Sequence, residues 1–259
     1  MRFITLFFFF LLVFANSFAG IVVLNGLTHI HDAARGTTVS GKIKVQNNGK
    51  KEAKFLIYQE DLAFPCDKST PEKDSINARS LTQWLKTNVE EKTLQSNEVY
   101  EIVYSFTIPQ DLKQNGSYWS AIMIEGIDPI KENLEGGVKI DTKVRYAIQV
   151  ITNVGIAENS KMTFENIGFS QKDSTTQALN IKLKNNGIFL SKTKLSLEIY
   201  DDSGKKLKTI DSISKKMYPE KCNDFEIFIK DLPKGTYNGI VIADNGKELY
   251  GANVSLEIN

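Results

Sequence analysis

The chain has 259 residues, 41% of them hydrophobic, and its 32 basic side chains nearly balance 31 acidic ones. A net charge of +1 supplies no concentrated positive field, which argues against nucleic acid or an anionic membrane surface as the main partner. At roughly 100–150 residues per domain, the length suits two domains with ordinary cores.

The first nineteen residues read as a cleavable signal peptide, 1–19. Arg2 is its positive start, Phe3 to Phe14 is apolar apart from Thr5, and Ser17-Phe18-Ala19 is a small-x-small cleavage site before Gly20. The apolar run is too short for a stable span, no cysteine sits at the cleavage point to carry a lipid, and no later run reaches about 18 apolar residues. The expected product is an exported chain with no transmembrane segment, in the periplasm or on the surface of a bacterium.

Beyond the leader, helical periodicity is nearly absent and period-two alternation dominates, so the fold class expected is all-β. Thr28-His29-Ile30-His31-Asp32 places two imidazoles on one face of a strand. That makes His29 and His31 weak metal candidates; half-exposed strand residues are the plainer reading, and no cofactor is expected. Val39, Gly41, Ile43 and Val45 share a face of the next strand. A pattern then occurs twice. Lys42-Ile-Lys-Val-Gln-Asn-Asn-Gly49 matches Asn180-Ile-Lys-Leu-Lys-Asn-Asn-Gly187, and the Asp-Leu, turn, Gly-x-Tyr element ending at Tyr118 matches the one ending at Tyr237. Two copies of one module are expected: immunoglobulin-like sandwiches over 20–155 and 156–259. Tyr118 and Tyr237 are then candidates for the tyrosine that bonds back to upstream backbone and fixes the corner.

The first copy is longer, mostly through an excursion at 61–87, with a helical turn expected near Ala78 to Trp84. Phe64, Trp84, Tyr118 and Trp119 gather in this module. Three of the four are expected in the core, and of the neighbours Tyr118 and Trp119 one has to face outward. Trp84, with Phe64 in the same excursion, is the candidate contact for a partner protein or a glycan. Lys143 to Thr152 reads as the last strand of the module, with Val144, Tyr146, Ile148 and Val150 on one face. A linker at 153–159 follows. The second module starts at Lys161 and closes with a hairpin from Ile240 to Ile258, where Asn245-Gly246 signals a type I′ turn.

Chemistry-bearing patterns are missing. There is no G-x-S-x-G, H-E-x-x-H or phosphate-cradling Gly-rich loop, and the two histidines lie together near the mature start. A non-enzymatic protein is expected. One cysteine falls in each half, Cys66 and Cys222. They are a possible disulfide that would staple the two modules, or two separate thiols; spacing does not decide.

Residues 20–155 resemble a family of exported Bacteroidota proteins of unknown function. The resemblance rests on Gly26-Leu-Thr-His29, on Gly41 to Val45 leading into Asn47-Asn-Gly49, on Tyr58-Gln-Glu-Asp61, on Ser80 to Leu85, and on Gly116-Ser-Tyr-Trp119 through Gly126. Those proteins look like pilus-chaperone-type or wall-protein-binding tandem sandwiches. The resemblance implies a protein-interaction module whose partner is another exported or cell-surface protein. Pilus chaperones hold a pilin carboxylate with a basic pair between their domains and lend the pilin an alternating strand. Residues 143–152 resemble such a strand, with Lys143 and Arg145 as nearby charge and Tyr146 and Ile148 as its apolar face. The N-terminal basic motif of that family is absent beyond Arg35.

Overall fold

A computed structural model describes residues 20–64, 66, 72–73, 77–127, 130–133, 139–156, 161–173 and 176–258. The predicted leader, much of the excursion between 65 and 76, and part of the linker lie outside the described residues.

The described part is all-β. Strands β1 (Ile21–Val23), β2 (Thr28–Ala33), β3 (Thr38–Asn47), β4 (Ala53–Glu60), β5 (Leu62–Ala63), β6 (Glu72–Lys73), β7 (Leu85–Thr87), β8 (Glu91–Leu94), β9 (Val99–Thr107), β10 (Gly116–Gly126), β11 (Ile130–Asn133), β12 (Lys139–Thr142) and β13 (Arg145–Val154) form the first unit. Strands β14 (Met162–Gln171), β15 (Gln177–Asn185), β16 (Ser191–Tyr200), β17 (Lys206–Asp211), β18 (Lys215–Met217), β19 (Cys222–Ile229), β20 (Gly235–Asp244) and β21 (Leu249–Ile258) form the second. Each unit is an immunoglobulin-like sandwich. In the first, a sheet ordered β1-β3-β9-β7 faces one ordered β2-β13-β10-β4-β8. In the second, β14-β15-β19 faces β17-β16-β20-β21, with β18 also on β16.

Alternation explains the layers. Along β3, Ile43 and Val45 are buried and Lys42 and Lys44 exposed. Its partner β9 buries Ile102, Tyr104 and Phe106. These pack on Phe55, Ile57, Ile122, Ile124, Ile148 and Val150 of the opposite sheet. Leu179, Ile181, Leu195, Leu197, Phe225, Ile227 and Val241 build the second core in the same way.

The repeated Asn-Asn-Gly has a structural cause. Asn47 and Asn185 end equivalent strands and are wholly buried. The Asn185 amide donates to Phe189 O (2.9 Å) and Met217 O (3.0 Å), while its Oδ1 accepts from Gly187 N (2.9 Å). The Asn47 amide donates to Lys51 O (2.7 Å) and Leu94 O (3.0 Å), and its Oδ1 accepts from Gly49 N (2.9 Å). Each side chain therefore satisfies backbone groups that the loop leaves buried. The Gly-x-Tyr elements also correspond: Tyr118 donates to Gln114 O and Tyr237 to Pro233 O, both 2.8 Å and four residues upstream.

Three local expectations need correction. No helix lies at Ala78 to Trp84; the chain makes successive turns there, with Trp84 N donating to Leu81 O (2.9 Å). The β20–β21 hairpin is not type I′. Asp244 pairs with Leu249, so the loop has four residues, and Gly246 rather than Asn245 has positive φ. Finally, Tyr118 and Trp119 are both buried. Tyr118 faces the first core, whereas Trp119 faces away from it and is covered by the second sandwich.

Candidate functional site

Two neighbouring features stand out: an open length of strand on the first sandwich, and the cleft where the two sandwiches meet.

The open edge follows from the course of the N-terminal segment. β1 pairs with β3 in one sheet, but β2 runs parallel to β13 in the other. The switch occurs at Leu24–Leu27. Leu24 N still bonds Lys44 O (2.8 Å), the Asn25 side chain bridges Lys42 O and Lys44 N, and Gly26 takes the left-handed φ of +88° that the crossing requires. β2 first pairs at Thr28, opposite Gln149, and continues to Ala33 opposite Val154. Among the described residues, Arg145–Ile148 of β13 therefore has a strand on the β10 side only. Gln149 N donates to Leu27 O (2.9 Å). By strand parity, Arg145 and Ala147 point their N–H and C=O toward the same side, where no strand lies. Val144 before this stretch and Leu27, bonded to Gln149 just after it, have exposed apolar side chains.

The sequence candidates on β13 divide accordingly. Ile148 is wholly buried in the first core and Tyr146 is half-buried against it, so the Ile148 side chain is not a surface contact. Arg145 and Lys143 both reach Glu125, at 2.8 and 3.9 Å. Glu125 also accepts from the Tyr58 hydroxyl (2.8 Å) and is held below the usual carboxylate range, first by that bond and then by the basic pair. Glu125 matches one of these two positive charges, with Arg145 the nearer partner.

The cleft begins where the open edge ends. It has a volume of about 600 Å³ and lies between Thr28, Ile30 and Gln149 of the first sandwich and Leu190, Lys192 and Lys216 of the second. Its deep side is aromatic. Phe64 stacks on Tyr218 at 4.1 Å between ring centroids with planes 12° apart, and Tyr218 meets Trp119 at 4.8 Å. Burial pushes the Tyr218 phenol up, and its hydroxyl bonds Gln149 Oε1 (3.0 Å). The Lys216 ammonium donates to Thr28 Oγ1 (2.8 Å) and to Gln149 Oε1. Neither acceptor carries charge, and burial lowers the lysine pKa. The cleft thus presents a half-buried cation beside an aromatic wall, an arrangement suited to an anionic or hydrogen-bond-accepting group.

Several contacts fix the cleft walls. Cys66 and Cys222 are joined in a disulfide across the two sandwiches. Lys182 donates to Cys66 O (2.8 Å). On the other side, Ser117 N donates to Ile188 O (2.8 Å) and Leu190 N donates to Ser117 Oγ (2.7 Å). Gly116 is needed there, since a Cβ on it would lie 2.3 Å from Ile188 O.

Trp84 is half-buried and packs its ring on Tyr118 at 5.3 Å, far in sequence from the β13 candidates. It lines a separate groove of about 310 Å³ with Asn77, Gln83 and Gln114. Phe64, by contrast, belongs to the interdomain cluster. The residues that sequence reasoning missed are Lys216, Gln149 and Tyr218. The only signal was the aromatic-lysine run around 215–218, and nothing marked which loop of the first module it would face.

His29 and His31 share a face as expected, directed into the sandwich. Tyr104 Oη lies 2.8 Å from both His29 Nδ1 and His31 Nε2, so one ring accepts its proton and the other donates to its oxygen. Among the described residues no three of His, Cys, Asp and Glu cluster to hold a metal. Burial raises the Tyr104 pKa to about 12. Both imidazoles are pushed below the ordinary value of 6.5, by burial first; His29 adds to the effect on His31 and Asp32 opposes it. Because the folded state disfavours the charged rings, their contribution to stability is complete above about pH 6.5 and is lost as the pH falls through the lowered values. Urea midpoints of the wild type should drop between about pH 7 and pH 5, and His29→Gln/His31→Gln should flatten that slope. An equal slope in the double variant contradicts this assignment.

No known protein family matches the chain, and no curated protein matches it. Among solved structures, the class 5 fimbriae chaperone CfaA is similar at 13% identity, with 93% of this chain and 100% of that one covered and a TM-score of 0.48. A chain of the CsuC–CsuE chaperone–tip adhesion subunit pre-assembly complex of Acinetobacter baumannii is similar at 11% identity, with 91% and 98% covered and a TM-score of 0.47. A protein of unknown function from Porphyromonas gingivalis W83 is similar at 12% identity, with 93% and 100% covered and a TM-score of 0.34.

Proposed function

We propose that this chain is a non-enzymatic, exported protein-interaction module that takes an extended segment of another exported protein onto β13, in the manner of a chaperone for a surface or pilus-type subunit. The observation that carries the reading is the open edge at Arg145–Ile148. Two N–H and two C=O groups are offered in strand geometry beside exposed apolar side chains, the elements that strand addition uses. A segment laid along this edge runs toward the cleft, where Lys216 offers its ammonium to a carboxylate.

The test is Ala147→Pro. Proline removes an N–H directed at the open side, costs no bond to β10, and is tolerated on strand edges. Purified wild type is expected to retain an exported subunit co-expressed with it, and the variant to lose at least about tenfold in affinity while melting within a few degrees of wild type. Undiminished capture by a folded Ala147→Pro protein overturns the reading.

The groove at Trp84, with an indole beside three amide side chains, supports a second reading as a glycan contact. Trp84→Ala should then abolish glycan-array signals and leave protein capture intact; silence of the wild type on the array removes it.

A further inference from the structure

The second sandwich carries a different unpaired edge, on β21, which goes beyond the strand-capture reading and is independent of it. β21 ends its sheet, paired with β20 along all ten residues and with no strand on the other side among those described. In the hairpin, Asn245 N donates to Glu248 O. Counting by twos from that bonded pair, Tyr250, Ala252, Val254, Leu256 and Ile258 bond β20. Leu249, Gly251, Asn253, Ser255 and Glu257 therefore turn their backbone groups outward. The Gln177 side chain reaches Glu257 O from outside (3.2 Å), as this parity requires.

Exposed strands of this length are normally blunted by charged side chains, lysine above all, or by proline or bulges. Several other described edges follow that rule. β14 is broken by a bulge between Phe164 and Asn166. β17 carries Lys206 and Lys208, and β19 carries Asp224 and Glu226. β1 and β7 have three residues each. β21 is ten residues long, pairs without a register shift, and has neither cation nor proline; its one charge is Glu257.

We infer that β21 is the self-association edge of this protein and pairs antiparallel with β21 of a second copy about a two-fold axis at Asn253. The sequence is self-complementary in that register. Gly251 falls opposite Ser255, and Ala252 opposite Val254. Tyr250 falls opposite Leu256, and Leu249 opposite the stem of Glu257. No like charges meet, and Lys247 of each copy comes to the diagonal of Glu257 in the other, within reach of a lysine side chain. Tyr250, Val254 and Ile258, half-buried at the rim of the second core, gain cover, and the two sheets become one continuous sheet. An isologous pairing of this kind closes on itself and leaves no further edge of β21 open.

Sedimentation of the full exported chain tests it. The wild type is expected to double its mass with rising concentration, whereas Asn253→Pro, which removes an outward N–H, and Ser255→Lys, which places a cation on the exposed face of the edge strand, should weaken the dimer at least about tenfold. Asn253→Cys reads the register independently: its two copies would sit about 5.5 Å apart between Cα atoms, a distance a disulfide spans, so mild oxidation should give a covalent dimer. A wild type that stays monomeric to about 1 mM, or a dimer that persists unchanged in both Ser255→Lys and Asn253→Pro, overturns the inference. So does failure of Asn253→Cys to cross-link at concentrations where the wild type is dimeric.

Discussion

Replacing Cys66 and Cys222 together by serine is expected to destabilise the protein by about 2–4 kcal/mol, a loss of roughly 5–15 °C in the midpoint of thermal unfolding. The bond closes a sequence separation of 156 residues, so reduction frees a large loop in the unfolded chain. The other interdomain contacts, among them the Phe64–Tyr218–Trp119 cluster, the bonds of Ser117, and Lys216 and Tyr218 on Gln149, are noncovalent and put no limit on the unfolded chain. Each sandwich has its own core. Loss of the bond should therefore also separate one cooperative unfolding event into two, readable by calorimetry. Unchanged melting in the double variant would mean that the cysteines do not hold the cleft together. The pair is read best under oxidising conditions, in which disulfides persist.

The second large effect is expected at the repeated asparagine. Asn185→Ala removes a wholly buried amide that serves Phe189 O, Met217 O and Gly187 N. Three backbone groups lose their partner, two of them buried, at about 1–3 kcal/mol for each that water cannot reach. A net loss of about 3–5 kcal/mol is expected once the loop relaxes. Asn185→Asp separates hydrogen bonding from packing. Its shape is retained, but an ionised carboxylate would face two carbonyl oxygens, so the variant should be more damaged at pH 7 than at pH 4. Denaturant unfolding at the two pH values checks this. If Asn185→Asp matches the wild type at pH 7, the amide is not what secures the strand end. Asn47→Ala in the first sandwich should behave in parallel, since its side chain bonds the equivalent loop.

The same asparagines explain why the fold was legible. In both modules a buried Asn ties the loop to the end of a strand by the same kinds of bond, so Asn-Asn-Gly recurs where the apolar residues around it differ. The corner tyrosines persist for a similar reason: each makes one geometric bond, at 2.8 Å, to backbone four residues upstream. Alternation gave the sheets because one face of most strands meets water. It misled at β10, where Gly116 to Ile124 is buried on both faces. There Trp119 turns away from its own core and is covered by Tyr218, and no local pattern distinguishes a residue covered by another domain from one facing solvent.

The candidate site was less legible for the same physical reason. Lys216 meets Thr28 and Gln149 across 188 and 67 residues of chain, and Cys66 meets Cys222 across 156. Such proximity is a property of how two sandwiches dock, which spacing does not encode. The alternating strand at 143–152 was recognised, but its alternation reports core packing of Tyr146, Ile148 and Val150. What can be offered outward is its backbone, and that depends on Gly26 and Asn25 steering the preceding chain to the other sheet.

Amide-resolved hydrogen exchange of β13 by NMR tests the central claim most directly, first on the chain alone and then with a captured subunit bound. In the free chain Tyr146 and Ile148 should be protected by β10, while Arg145 and Ala147 exchange at least about a hundredfold faster, at rates near those of open loops; on binding, the latter two should slow to match their neighbours. Uniform protection across 145–148 in the free chain, or Arg145 and Ala147 amides that stay fast in the complex, would contradict the account.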